Sequence, residues 1–150
     1  MGMFNSVLMV CAGNICRSPT AEYLLKSKLQ DAAAENTVNV SSAGLTALEG
    51  KSADSTASSI AKTFDIDMAP HKGQQINSKL INDNSLILVM EQRHLTDLLG
   101  KYPQARGKTF LLGKWINDAE IPDPYRQSHE AFEHVYQLID QACTAWNKYL

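Results

Sequence analysis

Near the N-terminus, one stretch combines a nucleophile with the means of holding an anion: Val10-Cys11-Ala12-Gly13-Asn14-Ile15-Cys16-Arg17-Ser18-Pro19. An apolar strand leads into a turn of small residues, and Ser18-Pro19 is a typical start of a helix. Unpaired N–H groups at such a turn point inward, and the helix dipole adds positive charge at the same place. The stretch therefore predicts a site for a phosphate or another oxyanion.

Cys11 and Arg17 are separated by five residues, and each has a chemical role in such a site. Cys11 would lie beneath the anion, in a field that favours the thiolate over the thiol. The planar guanidinium of Arg17 offers two donors that match two phosphate oxygens. The pair predicts phosphoryl transfer to a cysteine, with Arg17 and the loop amides stabilising the trigonal transition state.

The segment from Cys11 to Pro19, together with the distant Asp123-Pro124-Tyr125, resembles the low-molecular-weight protein tyrosine phosphatases, and the match covers nearly the whole chain. Several unrelated phosphatase folds share Cys-x5-Arg, whereas the full set of motifs is highly specific. The resemblance implies hydrolysis of phosphotyrosine through a phosphocysteine, with no metal or cofactor. It makes Asp123 the general acid and then the base that activates water.

The resemblance also implies the remaining residues of the site. The substrate and phosphate group would be bound by Ala12, Gly13, Asn14, Ile15, Cys16, Ser18, Leu48 and Tyr125. Tyr125 would stack on the aromatic ring of the substrate, with Leu48 opposite it at the mouth of the pocket. An aliphatic residue at position 48 indicates the bacterial subgroup of the family.

Supporting residues come from the same comparison of motifs. Asn14 is expected in a buried hydrogen-bond network with Ser42 and His71. Ser18 could cap the following helix or direct its hydroxyl at the sulfur of Cys11, and the resemblance favours both. For His71, the sequence alone favours a surface histidine after a proline.

Cys16 follows Cys11 by five positions within the same tight loop. A loop that curls around one anion would bring the two sulfurs close enough to bridge. In family members such a disulfide reversibly protects the nucleophile from overoxidation. Burial as a packing residue is the alternative, and it is the expected role of Cys143. A zinc site would need further ligands at recognisable spacing, which the four scattered histidines do not provide.

Strand and helix patterns alternate along the chain. Strands are expected at Ser6–Val10, Thr37–Ser41, Ser85–Met90 and Thr109–Leu112. Helices are expected from Ser18 to about Ala34, from the cap Asp54 along an apolar stripe that includes Phe64, from Leu95 to a stop at Gly100, and from Ser128 onward, and Pro70 ends the second helical region. Asn77–Ile81 would form one or two turns at most, and residues from Lys114 to Tyr125 a loop. This alternation predicts a single α/β domain over residues 1–150, with right-handed crossovers and helices on both faces of a parallel sheet. The resemblance implies four strands in the flavodoxin-like order.

Composition limits the class of protein. The chain has 150 residues, is 44% hydrophobic and 20% charged, and has a formal net charge of −2, which gives no basic footprint for nucleic acid. Three cysteines favour a reducing cytoplasm over a secreted disulfide scaffold. We expect no membrane insertion, because no signal peptide or apolar run of sufficient length is present. Met1-Gly2 with Ser6 fits a loose myristoylation pattern, but Met3 looks like the natural start.

The alternatives are an arsenate reductase of the same fold and a non-catalytic phosphate or phosphotyrosine binder. A reductase of this kind needs a further cysteine pair after the third strand, and residues 91–105 contain none. A binder, or a transport domain that carries a phosphocysteine, would not need Asp123. The expected partner is a tyrosine-phosphorylated protein, namely a bacterial autophosphorylating tyrosine kinase that controls export of capsule or exopolysaccharide. Ser42–Leu45 and Glu120–Arg126 carry the resemblance to that subgroup.

Overall fold

A computed structural model describes residues 4–32 and 38–150. Strands and helices alternate in the order β1 Ser6–Cys11, α1 Arg17–Ala32, β2 Asn39–Gly44, α2 Ser55–Thr63, α3 Ser78–Asp83, β3 Leu86–Val89, α4 Gln92–Lys101, β4 Thr109–Leu111 and α5 His129–Asn147. A short 3₁₀ turn, Pro103–Ala105, precedes β4. The expected first-helix end near Ala34, the second-strand start at Thr37 and the chain start at Met3 lie outside the described residues.

The four strands form one parallel sheet in the order β2-β1-β3-β4. This confirms the predicted single-domain α/β fold and the flavodoxin-like order. β1 and β3 are almost wholly buried, as expected for apolar strands covered on both faces. Side chains of β1 alternate between two cores: Val7 and Met9 pack with residues of α1, α2 and α5, whereas Leu8 and Val10 pack with residues of α3 and α4.

This topology decides where a site can form. β1 is flanked by β2 on one side and β3 on the other, so connections leave its carboxyl end in opposite directions. Such a switch point opens a crevice at the carboxyl ends of the strands. Cys11 is the last residue of β1, and Glu91 follows β3 closely, so both lie at that crevice.

Several element bounds differ from those expected. α1 begins at Arg17, so Ser18 lies inside its first turn. The first hydrogen bond of the helix runs from the Thr20 amide to the Cys16 carbonyl, which puts Cys16 and not Ser18 at the capping position. The expectation that Ser18 caps the helix was therefore wrong. β2 continues to Gly44, because the Gly44 amide and carbonyl pair with residues 74 and 76. α4 does not stop at Gly100 but ends at Lys101, where the Tyr102 amide binds the Leu98 carbonyl.

Candidate active site

Residues 11–17, which we call the phosphate loop, direct their carbonyl groups away from its centre. Every carbonyl from Cys11 to Cys16 accepts a hydrogen bond from outside: Leu45 N to Cys11 O at 2.9 Å, Thr46 N to Ala12 O at 3.0 Å, Leu48 N to Gly13 O at 3.0 Å, His71 Nε2 to Asn14 O at 2.7 Å, Asp54 N to Ile15 O at 2.7 Å and Thr20 N to Cys16 O at 3.2 Å. A trans peptide places its N–H opposite its C=O. The amides of residues 12–17 are therefore turned inward, as an oxyanion requires.

Two glycines allow neighbouring backbone to press against this loop. A Cβ at Gly44 would lie 2.4 Å from the Ala12 carbonyl oxygen, and a Cβ at Gly73 would lie 2.4 Å from the Leu48 carbonyl oxygen. Neither contact leaves room for any other residue. The segment Leu45–Leu48 can thus lie close enough for its amides to bind the phosphate-loop carbonyls.

Asn14 holds the loop from within. It is fully buried with φ of 60°, a left-handed conformation that asparagine tolerates better than most residues. Its Nδ2 donates to Ser18 Oγ at 2.8 Å and to Ser42 Oγ at 3.0 Å, and its Oδ1 accepts from the Gln74 amide at 2.9 Å.

The structure brings together the expected network of Asn14, Ser42 and His71, and extends it. His71 donates to the Asn14 carbonyl, and the Ser42 hydroxyl donates to Glu22 Oε1 at 2.6 Å. Glu22 is itself buried and is paired with Lys26. Sequence reasoning missed Glu22 and Gln74, which carried no motif signal of their own.

Cys11 and Ser18 form a buried pair beside the inward amides. Cys11 is only 3% exposed, and its Sγ lies 2.9 Å from Ser18 Oγ. Because Ser18 Oγ accepts a hydrogen bond from Asn14 Nδ2, its own hydrogen is available to the sulfur. Ser18 therefore directs its hydroxyl at Cys11, which is one of the two roles expected for it.

Arg17 connects the phosphate loop to the opposite side of the crevice. It is 2% exposed, and its Nη1 donates to Glu91 Oε2 at 2.6 Å and to the Ile121 carbonyl at 2.8 Å. Its Nη2 lies 3.9 Å from Asp123 Oδ2. Burial alone would raise the pKa of Glu91, but hydrogen bonds from Arg93 and Arg17 outweigh it and hold that pKa below its ordinary value.

Glu91 is a site residue that the sequence reasoning did not identify. It comes two positions after β3, at the sheet edge where the carboxyl ends of parallel strands meet. That position was the available signal, since charged residues just after such strands face the crevice. The segment that leads to Asp123 is attached at the same sheet edge, because the Ile121 amide donates to the Met90 carbonyl at 2.8 Å.

Residues 120–126, which we call the Asp123 loop, cover the crevice from outside. Glu120 Oε2 accepts the Gln92 amide at 2.7 Å, which fixes the stem of the loop. Asp123 has a half-exposed side chain, and its Oδ1 accepts the Tyr125 amide at 3.0 Å. Arg126 has a φ of 62° and its guanidinium lies 5.3 Å from the centre of the Tyr125 ring.

These parts enclose a pocket of about 240 Å³. It is lined by Cys11, Ala12, Gly13, Asn14, Ile15, Cys16, Arg17, Thr46, Leu48, Asp123 and Tyr125. Leu48 and Tyr125 are large, exposed apolar residues of its rim. Ser18, Ser42 and His71 support the loop without lining the pocket, and Thr46 is a lining residue that the sequence did not indicate.

The remaining chemistry of the site concerns thiols and metals. All three cysteines are free and buried. Burial, followed by the charges of Asp54 and Cys11, raises the pKa of the Cys16 thiol, which is therefore protonated at neutral pH.

Within residues 4–32 and 38–150, no cluster of three or more His, Cys, Asp or Glu side chains is arranged to hold a metal ion. Among the described helices, none has the length and apolar character to cross a membrane.

Comparison with known proteins decides the family. A family model described as "Low molecular weight phosphotyrosine protein phosphatase" matches residues 6–150. The chain belongs to this family. The phosphatase prediction is thus confirmed at the level of the family, and the low-molecular-weight phosphatase fold accounts for the parallel sheet and the loop that follows β1.

Individual phosphatases agree with this assignment. The chain is 46% identical over 144 residues to the low molecular weight protein-tyrosine-phosphatase Wzb of Salmonella typhimurium, covering 96% of this chain and 93% of the relative. The structure of Vibrio vulnificus Wzb in complex with benzylphosphonate matches with a TM-score of 0.91 and 50% identity, covering 98% of this chain and 99% of that one. The YwlE arginine phosphatase from Geobacillus stearothermophilus matches at 30% identity with a TM-score of 0.87, covering 95% and 90% of the two chains.

Proposed function

We propose that this phosphatase hydrolyses phosphotyrosine in proteins through a phosphocysteine formed on Cys11. The observation that carries the proposal is the set of outward carbonyls from Cys11 to Cys16, which turns the loop amides inward beside the Cys11 sulfur. Family membership supports the same chemistry. No metal or cofactor is required, since the loop amides and Arg17 supply the positive charge.

In the first step the Cys11 thiolate attacks phosphorus, and the bond from phosphorus to the phenolic oxygen breaks. The inward amides and the Arg17 guanidinium stabilise the three equatorial oxygens as charge spreads over them. Ser18 donates its hydroxyl hydrogen to the sulfur. Asp123 gives its proton to the departing phenolate, a role supported by the placement of Asp123 Oδ2 at 3.9 Å from Arg17 Nη2.

In the second step Asp123 is ionised and takes a proton from water, which attacks the phosphorus of phosphocysteine. The bond from sulfur to phosphorus breaks, and inorganic phosphate leaves together with regeneration of the Cys11 thiolate. A half-exposed carboxylate suits both steps, because it must reach the leaving group first and water afterwards. A simple phosphate-binding module would have no use for such a group above Cys11.

The substrate is an aromatic phosphate ester at the surface of another protein. Leu48 and Tyr125 form an exposed apolar rim, which fits a flat ring above the phosphate. A relative that binds benzylphosphonate supports the same pairing of an aromatic group with an oxyanion. Because a structural neighbour is an arginine phosphatase, phosphoarginine is the substrate that the test must separate from phosphotyrosine.

The physiological substrate we propose is an autophosphorylating tyrosine kinase of a bacterium, which controls export of capsule or exopolysaccharide, and the site of action is the cytoplasm. The similarity to Wzb supports this choice, as do the motifs at Ser42–Leu45 and Glu120–Arg126. The exposed rim of Leu48 and Tyr125 would admit a phosphotyrosine on a flexible segment of that kinase.

Phosphate release from purified protein tests the proposal. We expect turnover of phosphotyrosine peptides and of p-nitrophenyl phosphate, and far weaker turnover of phosphoarginine. Mass spectrometry of enzyme quenched during turnover should show one added phosphoryl group on the peptide that contains Cys11. Preference for phosphoarginine would overturn the substrate class, and a phosphoryl group on another residue would overturn the intermediate.

A further inference from the structure

His94 lies buried in the first turn of α4, beside the contact between Arg17 and Glu91. It is 2% exposed, and its Nδ1 accepts the backbone amide of Glu91 at 3.2 Å. Its Nε2 has no hydrogen-bond partner and lies 3.7 Å from Glu91 Oε2. The mechanism above makes no use of this ring.

The protonation state of His94 follows from its surroundings. Burial, and then the charge of Arg17, lowers the pKa of His94 to about 4, so the ring is neutral at neutral pH. Because Nδ1 accepts a hydrogen bond, the ring hydrogen is on Nε2. His94 therefore presents a buried N–H donor toward Glu91 Oε2, at a distance beyond normal hydrogen-bond length. Leaving such a buried donor without a partner is unfavourable.

Glu91 Oε2 faces two buried donors and contacts only one of them. Its contact is with Arg17 Nη1 at 2.6 Å, on the side of the pocket. From the more exposed side, Arg93 donates to both carboxylate oxygens, at 3.2 and 3.3 Å. A phosphoryl dianion in the pocket would compete with Glu91 for the guanidinium of Arg17. Glu91 would then need another donor to compensate for the weakened hydrogen bond from Arg17.

We propose that His94 is a positioning residue, whose Nε2–H binds Glu91 Oε2 when an oxyanion engages Arg17. The carboxylate oxygen has to move by only about 0.8 Å to reach an ordinary hydrogen-bond length from Nε2. His94 would thereby stabilise the negative charge of Glu91. Without this hydrogen bond, Glu91 repels the phosphate and competes with it for the Arg17 guanidinium. The inference rests on the proposed function, since it takes Arg17 as a ligand of the phosphoryl group.

Two substitutions of His94 separate this role from helix capping. His94→Asn keeps an acceptor near the Nδ1 position but removes the Nε2–H, whereas His94→Gln places an amide N–H near the Nε2 position. With vanadate as the probe, we expect His94→Asn to weaken affinity about tenfold, the low end of the value of a hydrogen bond to a charged group. The loss should be smaller for inorganic phosphate. His94→Gln should recover most of it, and both variants should keep a melting temperature near that of the wild type.

His129→Asn is the matched control, because His129 is exposed on α5 and does not line the pocket. It should bind vanadate like the wild type. Equal affinity of His94→Asn and the wild type overturns the inference. Equal losses in His94→Asn and His94→Gln, accompanied by a lower melting temperature, also overturn it, because His94 would then only cap α4.

Nitrogen NMR of the wild-type histidine rings tests the proposal without substitution. Free enzyme at neutral pH should show His94 with a protonated Nε2 and an unprotonated Nδ1. Saturation with vanadate should move the Nε2–H signal in the direction of a stronger hydrogen bond. A hydrogen on Nδ1, or an unmoved signal, overturns the inference while the phosphatase proposal stands. Wild-type protein that binds no oxyanion and releases no phosphate overturns both.

Discussion

The phosphate loop and the Asp123 loop meet over one pocket but are held in opposite ways. In the phosphate loop, Cys11 and Asn14 are buried, and every carbonyl from Cys11 to Cys16 has a donor from outside the loop. In the Asp123 loop, Asp123 and Tyr125 are about half exposed, and the side chain of Asp123 binds an amide of its own loop. The phosphate loop is fixed along its length by the rest of the protein, whereas the Asp123 loop is anchored outside mainly at Glu120 and Ile121 and holds Asp123 through its own backbone.

This difference matches what each region has to do. The phosphoryl group has the same shape in every substrate, so donors that are fixed in advance need no reorganisation when charge develops. The leaving group arrives on a different polypeptide each time, and Asp123 must give up a proton and later take one from water. A rigid anion site with an accessible acid separates these requirements, and Arg17 contacts both regions.

The most severe test of the fixed region is Cys11→Ser. We expect phosphatase activity to fall to background, because a serine alkoxide is inaccessible in a site built for a thiolate. Affinity for phosphate or vanadate should be retained, since the inward amides do not depend on the sulfur. Turnover well above background in this variant would remove Cys11 from its proposed role.

Asp123→Ala tests the exposed region. We expect kcat on phosphotyrosine peptides to fall roughly 10²–10⁴-fold, with a smaller loss on p-nitrophenyl phosphate, whose leaving group needs a proton less. Asp118→Asn, in the neighbouring exposed turn, is the control and should keep both rates. The same loss on every leaving group would mean that Asp123 only shapes its loop, and Glu120 would become the next candidate.

Asn14→Ala tests how the fixed region keeps its shape. The change removes the hydrogen bonds that Asn14 makes to Ser18, Ser42 and the Gln74 amide, and it puts alanine in a conformation that alanine adopts poorly. We expect the free energy of unfolding to fall by about 2–4 kcal/mol in urea denaturation. Asn14→Gly should recover about 1 kcal/mol of this, because only the strain is relieved.

Asn117 supplies the control for that experiment. Its φ of 59° is almost the same as that of Asn14, but the residue is exposed in a turn. Asn117→Ala should therefore lower the free energy of unfolding by only about 1 kcal/mol, the conformational part alone. Equal effects at the two positions would mean that the buried hydrogen bonds of Asn14 contribute little.

Oxidation tests whether the fixed region protects its own nucleophile. Peroxide should convert Cys11 to a sulfenic acid, which the Cys16 thiolate attacks to give a disulfide and release water after proton uptake. A dithiol reductant should then restore activity. In Cys16→Ser, activity should be lost permanently as Cys11 is oxidised further.

Because burial raises the pKa of Cys16, protection should improve as pH rises above neutral. Cys143→Ala is the control, since Cys143 is buried on α5 and does not line the pocket. It should recover like the wild type. Equal recovery of the wild type and Cys16→Ser would exclude a protective disulfide.

The last prediction concerns the pH dependence of stability at the junction of the two regions. The pKa of His94 is lowered from 6.5 to about 4 in the folded protein, so the unfolded chain binds more protons between these values. The contribution of neutral His94 to the free energy of unfolding is fully present above pH 6.5. It falls by roughly 2–3 kcal/mol as pH falls toward 4. Urea denaturation at several pH values should show this slope for the wild type and a shallower one for His94→Gln. Identical slopes would contradict it.

Sequence reasoning predicted the fold and the residues of the phosphate loop because both depend on local pattern. β1 is apolar on both faces, and the change from Val10 to the small residues of the loop marks where a parallel strand ends. Family resemblance then supplied the distant residues Ser42, His71 and Asp123. The structure places the first two around Asn14 and the third above the pocket.

Contacts without a motif could not be predicted in this way. Glu91 reaches Arg17 across 74 positions of the chain, and nothing near Glu91 in the sequence indicates an arginine partner. Ser18 is a favourable capping residue by type, but its hydroxyl is engaged by Asn14 and Cys11, and the helix starts one residue earlier. Gly100 resembles a helix stop, yet its exposed position in α4 tolerates glycine at a cost of about 1 kcal/mol.

The backbone of Leu48 supports the phosphate loop, whereas its side chain forms part of the pocket rim. Its amide binds the Gly13 carbonyl, and its carbonyl lies against Gly73, while 46% of the residue is exposed. Any L-amino acid with an unhindered backbone amide can therefore replace it without shifting the anion site. Substrate preference can therefore change independently of catalysis. We expect substitutions of the Leu48 side chain to alter which peptides bind, while the geometry of the phosphate loop stays the same.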